Sequence, residues 1–128
     1  MEFKKYDVVY GEFAIEEDGS IQAGYRPAVV IQNDIGNKYS PTLLVLPLSR
    51  KLKKMNMPTH MPIDPNEENG LREVSTLLAE QVTPANKNKV TKIGIITNRL
   101  LQKQIFRCFV YAAAYGKNDP DFLELQFN

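Results

Sequence analysis

One arginine stands out among the residues that could carry chemistry, because of the sequence that follows it. Arg26 precedes Pro27 and the short apolar run 28–31. Proline has a fixed φ and no N–H, which suits the first residue of a strand, and the apolar run is typical of a short buried strand. The sequence therefore predicts an arginine held where a loop, residues 19–24, meets a rigid strand. Binding and catalytic residues concentrate at such positions.

Few other groups are available for chemistry. They are the hydroxyls of Ser49 and Thr59, the single histidine His60, and a basic run that consists of Arg50, Lys51, Lys53 and Lys54. A guanidinium fork, a hydroxyl and ammonium charges together suit phosphate oxygens. The sequence contains no Cys/His cluster, glycine-rich phosphate loop or serine nucleophile elbow. It therefore predicts neither a metal nor a cofactor, and it indicates a site for a small anion or a nucleic-acid backbone.

Each of these residues also has a purely structural explanation. Arg26 can be a surface arginine stacked on Tyr25. Ser49 can be a turn residue that follows Pro47, and His60 can be a hydrogen-bonded structural histidine. A basic run is usually a solvated face, although four positive charges within five residues favour a binding role. From the residues alone, the sequence supports a small β-rich domain that binds phosphate.

The composition is that of an intracellular domain. A chain of 128 residues with a net charge of +1 is long enough for one core and shows no overall charge bias toward nucleic acid or membrane. The lone Cys108 excludes an intrachain disulfide and a cysteine-based zinc site, as expected for a reducing cytoplasm. The first seven residues lack the apolar core of a signal peptide, and no apolar run is long enough to span a membrane.

The hydrophobic pattern predicts several short strands followed by one helix. We expect strands at residues 8–13, 28–31, 42–46, 74–82 and 93–95, an interrupted edge strand at 57–63, and a loop at 33–41. Apolar residues at three- and four-residue steps predict a helix over 98–115, with Thr97 as its N-cap and Gly116 as its end. Residues 122–125 are either a docked strand or a frayed end. This order favours a small β-barrel or a strongly bent sheet with a helix packed on it.

Three segments carry a family resemblance. Residues 19–42, GSIQAGYRPAVVIQNDIGNKYSPT, resemble the signature of the MazF/PemK family of toxin endoribonucleases. Pro58-Thr59-His60 and Glu80-Gln81-Val82 are similar to two further family landmarks, in the same order and at compatible spacing. The resemblance covers residues 5–115, and the long continuous match makes it specific.

The resemblance implies a fold, a reaction and partners. The fold would be mainly β (α+β): a small SH3-like β-barrel with a C-terminal helix packed against it, in one domain over residues 1–128 with 117–128 as an added tail. The protein would form a homodimer in the cytoplasm and cleave single-stranded RNA at specific sequences without a metal. Cleavage would leave 2′,3′-cyclic phosphate and 5′-hydroxyl ends. A cognate antitoxin protein would cover the RNA groove.

The resemblance also assigns roles to residues. Arg26 matches the family's catalytic arginine, and Ser49 falls where the family usually has a catalytic threonine after the third strand. Serine keeps the hydroxyl and lacks only the methyl group. The candidate RNA-binding residues combine the basic run with polar residues of the matching segments: Gln22, Tyr25, Arg50, Lys51, Lys53, Lys54, Thr59, His60 and Gln81.

Two departures from the family pattern support an alternative function. Ile21 stands where the family usually has a glutamate, and Thr83 stands where it often has a basic residue. Neither Arg26 nor Ser49 is a strong base, so the general base is unidentified, and His60 is the only side chain that ordinarily titrates near neutral pH. The alternative is a degenerate barrel that binds RNA or protein without cleaving it.

Overall fold

A long β-hairpin begins the fold. The structure is a computed structural model that describes residues 2–51, 56–114 and 118–125. Strands β1 (Asp7–Glu17) and β2 (Ser20–Val30) pair antiparallel from Val8↔Val29 to Glu17↔Ser20. Asp18 and Gly19 make the two-residue turn with φ of 52° and 85°, and positive φ at both positions is what a type I′ turn requires. We call this element the ribbon and residues 16–20 its tip.

The ribbon corrects the prediction of a loop at residues 19–24. These residues are polar because most of the outer half of β2 is exposed, and β1 supplies the partner that makes them a strand. Pro27 therefore lies inside β2, opposite Tyr10, and does not begin it. The third strand, β3 (Thr42–Ser49), pairs with β2 only at residues 28–30, so Pro27 needs no N–H on that side.

β3 lies at the centre of a seven-stranded antiparallel sheet. The remaining strands are β4 (His60–Ile63), β5 (Ser75–Leu78), β6 (Thr83–Asn86) and β7 (Thr91–Ile95). The order is β4-β5-β3-β2-β1-β7, and β6 also pairs with β3. The predicted class, mainly β with a C-terminal helix, is confirmed. Within the described residues the sheet is not closed into a barrel, because β4 and β7 form its two ends and do not pair with each other.

The predicted strand over 74–82 is divided. β5 ends at Leu78, and residues Ala79–Gln81 form a single 3₁₀ turn before β6 begins at Thr83. The turn moves the chain from one part of β3 to another, since β5 pairs with the end of β3 and β6 with its beginning. It also places Glu80 and Gln81 beside the ribbon rather than within a strand.

Helix α1 (Asp34–Tyr39) lies where the sequence predicted a loop. The side chain of Asn33 caps it by accepting a hydrogen bond from the N–H of Gly36 at 2.9 Å. A short polar helix of this kind has no apolar periodicity to reveal it, and the cap is what stabilises its first turn.

Helix α2 (Arg99–Tyr111) is the predicted C-terminal helix, and its N-cap is Asn98 rather than Thr97. The predicted apolar face is confirmed, because Ile105 and Cys108 are buried against the sheet. α2 ends at Tyr111, so the prediction that it extends to residue 115 is wrong, and Gly116, its predicted end, lies outside the described residues. α3 (Pro120–Leu125) forms where the sequence predicted either a docked strand or a frayed end. Within the described part of the chain, no helix has the length and apolar character that a membrane crossing requires.

The sheet buries side chains on both faces. One cluster includes Val29 and Leu46 and continues into α2, and the other includes Phe13, Ala28 and Val45. Successive residues of a strand point to opposite faces, so Arg26 belongs to the face of Ala28. Its neighbours Tyr25 and Pro27 belong to the face of Val29.

Two glycines with positive φ provide a matched test of backbone packing. Gly19 (φ +85°) has open space around it, whereas a Cβ at Gly70 (φ +72°) would overlap the carbonyl oxygen of Ile93. We expect Gly19→Ala to cost about 1–2 kcal/mol of unfolding free energy, the cost of left-handed backbone. Gly70→Ala should cost at least about 2 kcal/mol more, because the clash adds to the strain. Chemical denaturation of both variants measures the difference, and equal destabilisation would contradict the tight packing at Gly70.

Candidate active site

Arg26 lies along the inner face of the ribbon. It is half-buried opposite Gly11, and its Nε donates a hydrogen bond to the carbonyl oxygen of Phe13 at 3.0 Å. Its Nη2 lies 3.4 Å from the carbonyl oxygen of Gln22. Since Phe13 and Gln22 both lie closer to the tip than Arg26 does, these bonds direct the guanidinium toward the tip.

The sheet register places Ser49 on the same face. The pairing of β2 with β3 ends at Ala28↔Pro47, whereas β5, on the other side of β3, pairs with Leu48 and Ser49. Arg26 is two residues before Ala28, and Ser49 is two residues after Pro47. Both side chains therefore point to the same side of the sheet. A gap opens there between the separating strands, and Arg26 lies on its β2 side and Ser49 on its β3 side.

Ser49 is a strand residue that the ribbon tip covers. It is only 1% exposed, which excludes the surface turn considered from the sequence. Its Oγ donates a 2.6 Å hydrogen bond to Oε1 of Glu17, which is itself 6% exposed. The N–H of Lys51 donates to Ser49 Oγ at 3.2 Å. The hydroxyl is thus engaged both as donor and as acceptor.

The described cations of the predicted basic run are paired with carboxylates. Lys51 Nζ lies 3.3 Å from Oδ2 of Asp18 and 3.7 Å from Oε2 of Glu17. Arg50 Nε lies 3.2 Å from Oε1 of Glu73. Lys53 and Lys54 lie outside the described residues. The charge that this segment offers to an anion is therefore smaller than the sequence indicated.

Thr59 and His60 converge on Glu80. Thr59 Oγ1 donates to Glu80 Oε1 at 2.8 Å, and His60 Nε2 lies 3.0 Å from Glu80 Oε2. Burial by itself raises the pKa of the Glu80 carboxyl, but the hydrogen bonds from His60 and Thr59 outweigh it, so the pKa lies below its ordinary value. These contacts favour the structural explanation of His60.

Gln81 attaches the ribbon tip to the 3₁₀ turn. Its Oε1 accepts a hydrogen bond from the N–H of Glu16 at 2.7 Å, and its Nε2 donates to the carbonyl oxygen of Glu16 at 3.2 Å. The side-chain amide thereby pairs with β1 as another strand would. The tip therefore contacts Ser49, Lys51 and Gln81. Glu80, which binds Thr59 and His60, is the residue before Gln81 in the chain.

Two predicted RNA-binding residues lie on the other face. Tyr25 is 65% exposed and stacks on Tyr10, with 6.1 Å between ring centroids and 29° between ring planes. Arg50, Tyr10 and Pro27 line a cavity of about 720 Å³. Gln22 is exposed on the face of Arg26. The structure therefore does not gather the predicted set in one place, since Tyr25 and Arg50 lie on the opposite face from Arg26 and Gln22.

Two carboxylates in these networks were missed by reasoning from the sequence. Glu17 continues the alternation of buried residues Phe13 and Ile15 along β1, and this period of two could have revealed it. Glu80 lies in a segment already recognised as a family landmark. Among the described residues, no three His, Cys, Asp or Glu side chains cluster so that they could hold a metal ion.

Comparison with known proteins identifies the family. A sequence model described as "PemK-like, MazF-like toxin of type II toxin-antitoxin system" matches residues 4–107. Endoribonuclease EndoA of Bacillus subtilis (strain 168) is 37% identical over 101 residues, which cover 78% of this chain and 85% of that protein.

Solved structures share the fold. MazF (Form-I) from Deinococcus radiodurans superposes with a TM-score of 0.66 at 15% identity, over 85% of this chain and 94% of that one. An endoribonuclease in complex with its cognate antitoxin, from a mycobacterial species, gives a TM-score of 0.65 at 15% identity, over 85% and 92% of the two chains. The chain belongs to the PemK-like, MazF-like toxin family of type II toxin–antitoxin systems.

The lowered pKa of Glu80 predicts a pH-dependent contribution to stability. A carboxyl whose pKa falls on folding stabilises the protein above its ordinary value of 4.5, and this stabilisation is lost as pH falls through the lower folded-state pKa. We expect Glu80→Gln to be less stable than the parent at pH 7 and nearly equal to it well below pH 4.5. Urea unfolding across this pH range measures the difference. Glu67→Gln, at an exposed loop carboxylate, is the control, and a difference that does not depend on pH would contradict the assignment.

Proposed function

We propose that this toxin is an endoribonuclease that cleaves single-stranded RNA without a metal and leaves 2′,3′-cyclic phosphate and 5′-hydroxyl ends. The observation that carries the proposal is the placement of Arg26 and Ser49. They lie on one face, each two residues from the Ala28↔Pro47 pair, where β2 and β3 separate. Membership of a toxin family and similarity to a relative named as an endoribonuclease support it.

Arg26 would stabilise the charge that develops on the scissile phosphate. A cation fixed before the reaction is worth more than a mobile one, because it needs no reorganisation during the reaction. The bonds to the carbonyl oxygens of Phe13 and Gln22 fix the guanidinium and leave its other N–H groups for phosphate oxygens. An arginine side chain stays protonated, so Arg26 would not remove the proton from the attacking 2′-hydroxyl.

Ser49 would contribute its hydroxyl, either by orienting the 2′-hydroxyl or by donating to a non-bridging phosphate oxygen. Donation to a phosphate oxygen requires that the hydroxyl release Glu17, its partner in the free protein. The remaining RNA contacts would come from Tyr25 and Arg50 on the opposite face and from the other described candidates, Gln22, Lys51, Thr59, His60 and Gln81. Lys53 and Lys54, which lie outside the described residues, complete the proposed set.

The partners follow from the family. We propose a homodimer in the cytoplasm that single-stranded RNA and a cognate antitoxin protein both bind. The complex of an endoribonuclease with its cognate antitoxin, which shares this fold, supports the antitoxin as a partner. Charged side chains at the tip and the exposed Tyr25 offer the polar and aromatic contacts that such partners use.

One observation favours the alternative of a binding module without cleavage. Ile21, at the position of the family's usual glutamate, is 71% exposed at the outer end of β2. A carboxylate at this exposed position could reach substrate, and an isoleucine cannot take its proton. Cleavage assays decide between the two functions.

The test of the proposal is cleavage of a long single-stranded RNA of mixed sequence in EDTA by the parent chain and Arg26 variants. We expect the parent to cut, and Arg26→Ala to be slower by at least about 10², the effect of losing one charge-stabilising donor. Arg26→Lys keeps the charge but not the planar fork and should remain slow. Arg107→Ala, at an exposed arginine of α2, should cut like the parent. Absence of cleavage by the parent, or full activity of Arg26→Ala, would contradict the proposal.

Substitutions of Ser49 test the hydroxyl separately. Ser49→Ala removes the donor to the buried Glu17 carboxylate, so we expect about 1–3 kcal/mol of destabilisation as well as slower cleavage. If Ser49 were a surface residue, the same substitution would change the free energy of unfolding only slightly. Ser49→Thr keeps the hydroxyl and should retain cleavage. Rates are compared at a temperature where thermal unfolding curves show each variant to be folded, and full activity of Ser49→Ala would exclude the role.

A further inference from the structure

The carboxylate of Glu17 occupies the place that a phosphate would use. The Ser49 hydroxyl donates to Glu17 Oε1 at 2.6 Å, and Lys51 Nζ lies 3.7 Å from Oε2. A hydroxyl and an ammonium group converging on an anion are the donors that a phosphodiester oxygen also accepts. A serine hydroxyl has one proton, so Ser49 cannot donate to RNA while it donates to Glu17.

Because Ser49 and Glu17 are both buried, RNA and the Glu17 carboxylate cannot contact the Ser49 hydroxyl at the same time. With Ser49 1% exposed and Glu17 6% exposed, an RNA strand cannot reach the hydroxyl while the carboxylate covers it. Removing a carboxylate from water is costly, and the short bond from Ser49 together with the Lys51 charge offsets this cost. The carboxylate is therefore held in place by the same groups that would bind the substrate.

The ribbon tip is built to separate from this position. Glu17 is the last residue of β1 and is followed directly by the Asp18-Gly19 turn. Beyond the buried Ile15, polar contacts attach the tip to the rest of the protein. They include the Gln81 amide on the Glu16 backbone, the Lys51–Asp18 ion pair and the contacts of Glu17 with Ser49 and Lys51. Segments with few buried apolar contacts open at a small free-energy cost.

We propose that Ser49 Oγ and Lys51 Nζ form a phosphate subsite, and that Glu17 fills it in the free protein as an internal competitor of the RNA backbone. The inference rests on the proposed function only in taking the phosphate to be that of RNA. RNA binds when its phosphate displaces the Glu17 carboxylate, so Glu17 lowers the affinity for nucleic acid without taking part in bond breaking.

If Glu17 were instead a general base in the reaction, its removal would have the opposite effects on binding and cleavage. A general base acting through Ser49 would accept the hydroxyl proton while Ser49 Oγ accepted the proton of the 2′-hydroxyl. This relay needs contact between substrate and Ser49 Oγ while Glu17 stays in place, which the burial of both side chains prevents. Under that role, loss of the carboxylate would abolish cleavage and leave binding unimproved.

Binding of single-stranded DNA tests the subsite, because DNA carries the phosphates but lacks the 2′-hydroxyl needed for cleavage. We expect the dissociation constant, measured by fluorescence anisotropy with a mixed-sequence oligonucleotide, to fall about tenfold in Glu17→Ala, the scale of one charge-assisted hydrogen bond. Glu17→Gln should give a smaller gain, since the amide oxygen can still accept from Ser49. The gain should become smaller when Ser49→Ala is added to Glu17→Ala, because only Lys51 of the subsite then remains for the phosphate.

Glu16→Gln is the matched control. It removes the same charge one residue earlier, on the exposed side of β1, where the carboxylate accepts a hydrogen bond from the N–H of Gly19. We expect its dissociation constant to stay within about threefold of the parent value. An equal gain in Glu16→Gln and Glu17→Gln, or no gain in either Glu17 variant, would overturn the inference. Thermal unfolding checks that each variant is folded, and Glu17→Gln, which keeps the size of the side chain, carries the test if Glu17→Ala does not fold.

Cleavage of RNA by the same variants separates this inference from the proposed function. If both hold, Glu17→Gln lowers KM and leaves kcat undiminished. A lower kcat without tighter DNA binding overturns the subsite, although the endoribonuclease stands. Tighter DNA binding by Glu17→Ala in a protein that cleaves no RNA supports the subsite and contradicts the endoribonuclease.

Discussion

β3 pairs with β2 only as far as Ala28↔Pro47, and the position of the site depends on where this pairing ends. A strand cannot pair on one edge with a neighbour that diverges from it, so a gap opens between β2 and β3 beyond Pro47. Arg26 and Ser49 face this gap because each lies an even number of residues from the last pair. Backbone pairing thus brings together two side chains that are 23 positions apart in the sequence.

Two described cations of the basic run are paired within the protein. Lys51 is paired with Asp18 and approached by Glu17, and Arg50, on the other face, is paired with Glu73. A polyanion that binds Lys51 or Arg50 exchanges one set of charge contacts for another. Such an exchange gains less than the exposed basic face that the sequence suggested, because the internal pairs must first separate.

The ribbon supplies most of the carboxylates that form ion pairs and hydrogen bonds around Ser49. The element that presents Arg26 therefore also covers Ser49. Glu17 brings a carboxylate close to the site, whereas Ile21 is apolar and exposed to solvent. The two residues lie in the same hairpin, on either side of the Asp18-Gly19 turn.

Local sequence determined the features that depend on near neighbours: the strand at residues 28–31, the apolar face of α2, the absence of a metal-ligand motif, and the family signature around Arg26. Only the tertiary structure decided the rest. Residues 19–24 form a strand because β1 lies beside them, and Ser49 is buried because the tip folds over it. Glu17 meets Ser49 across 32 positions. Hydrogen bonds between strands and the burial of a charge depend on which distant segment supplies the partner. A pattern of nearby residues does not identify that segment.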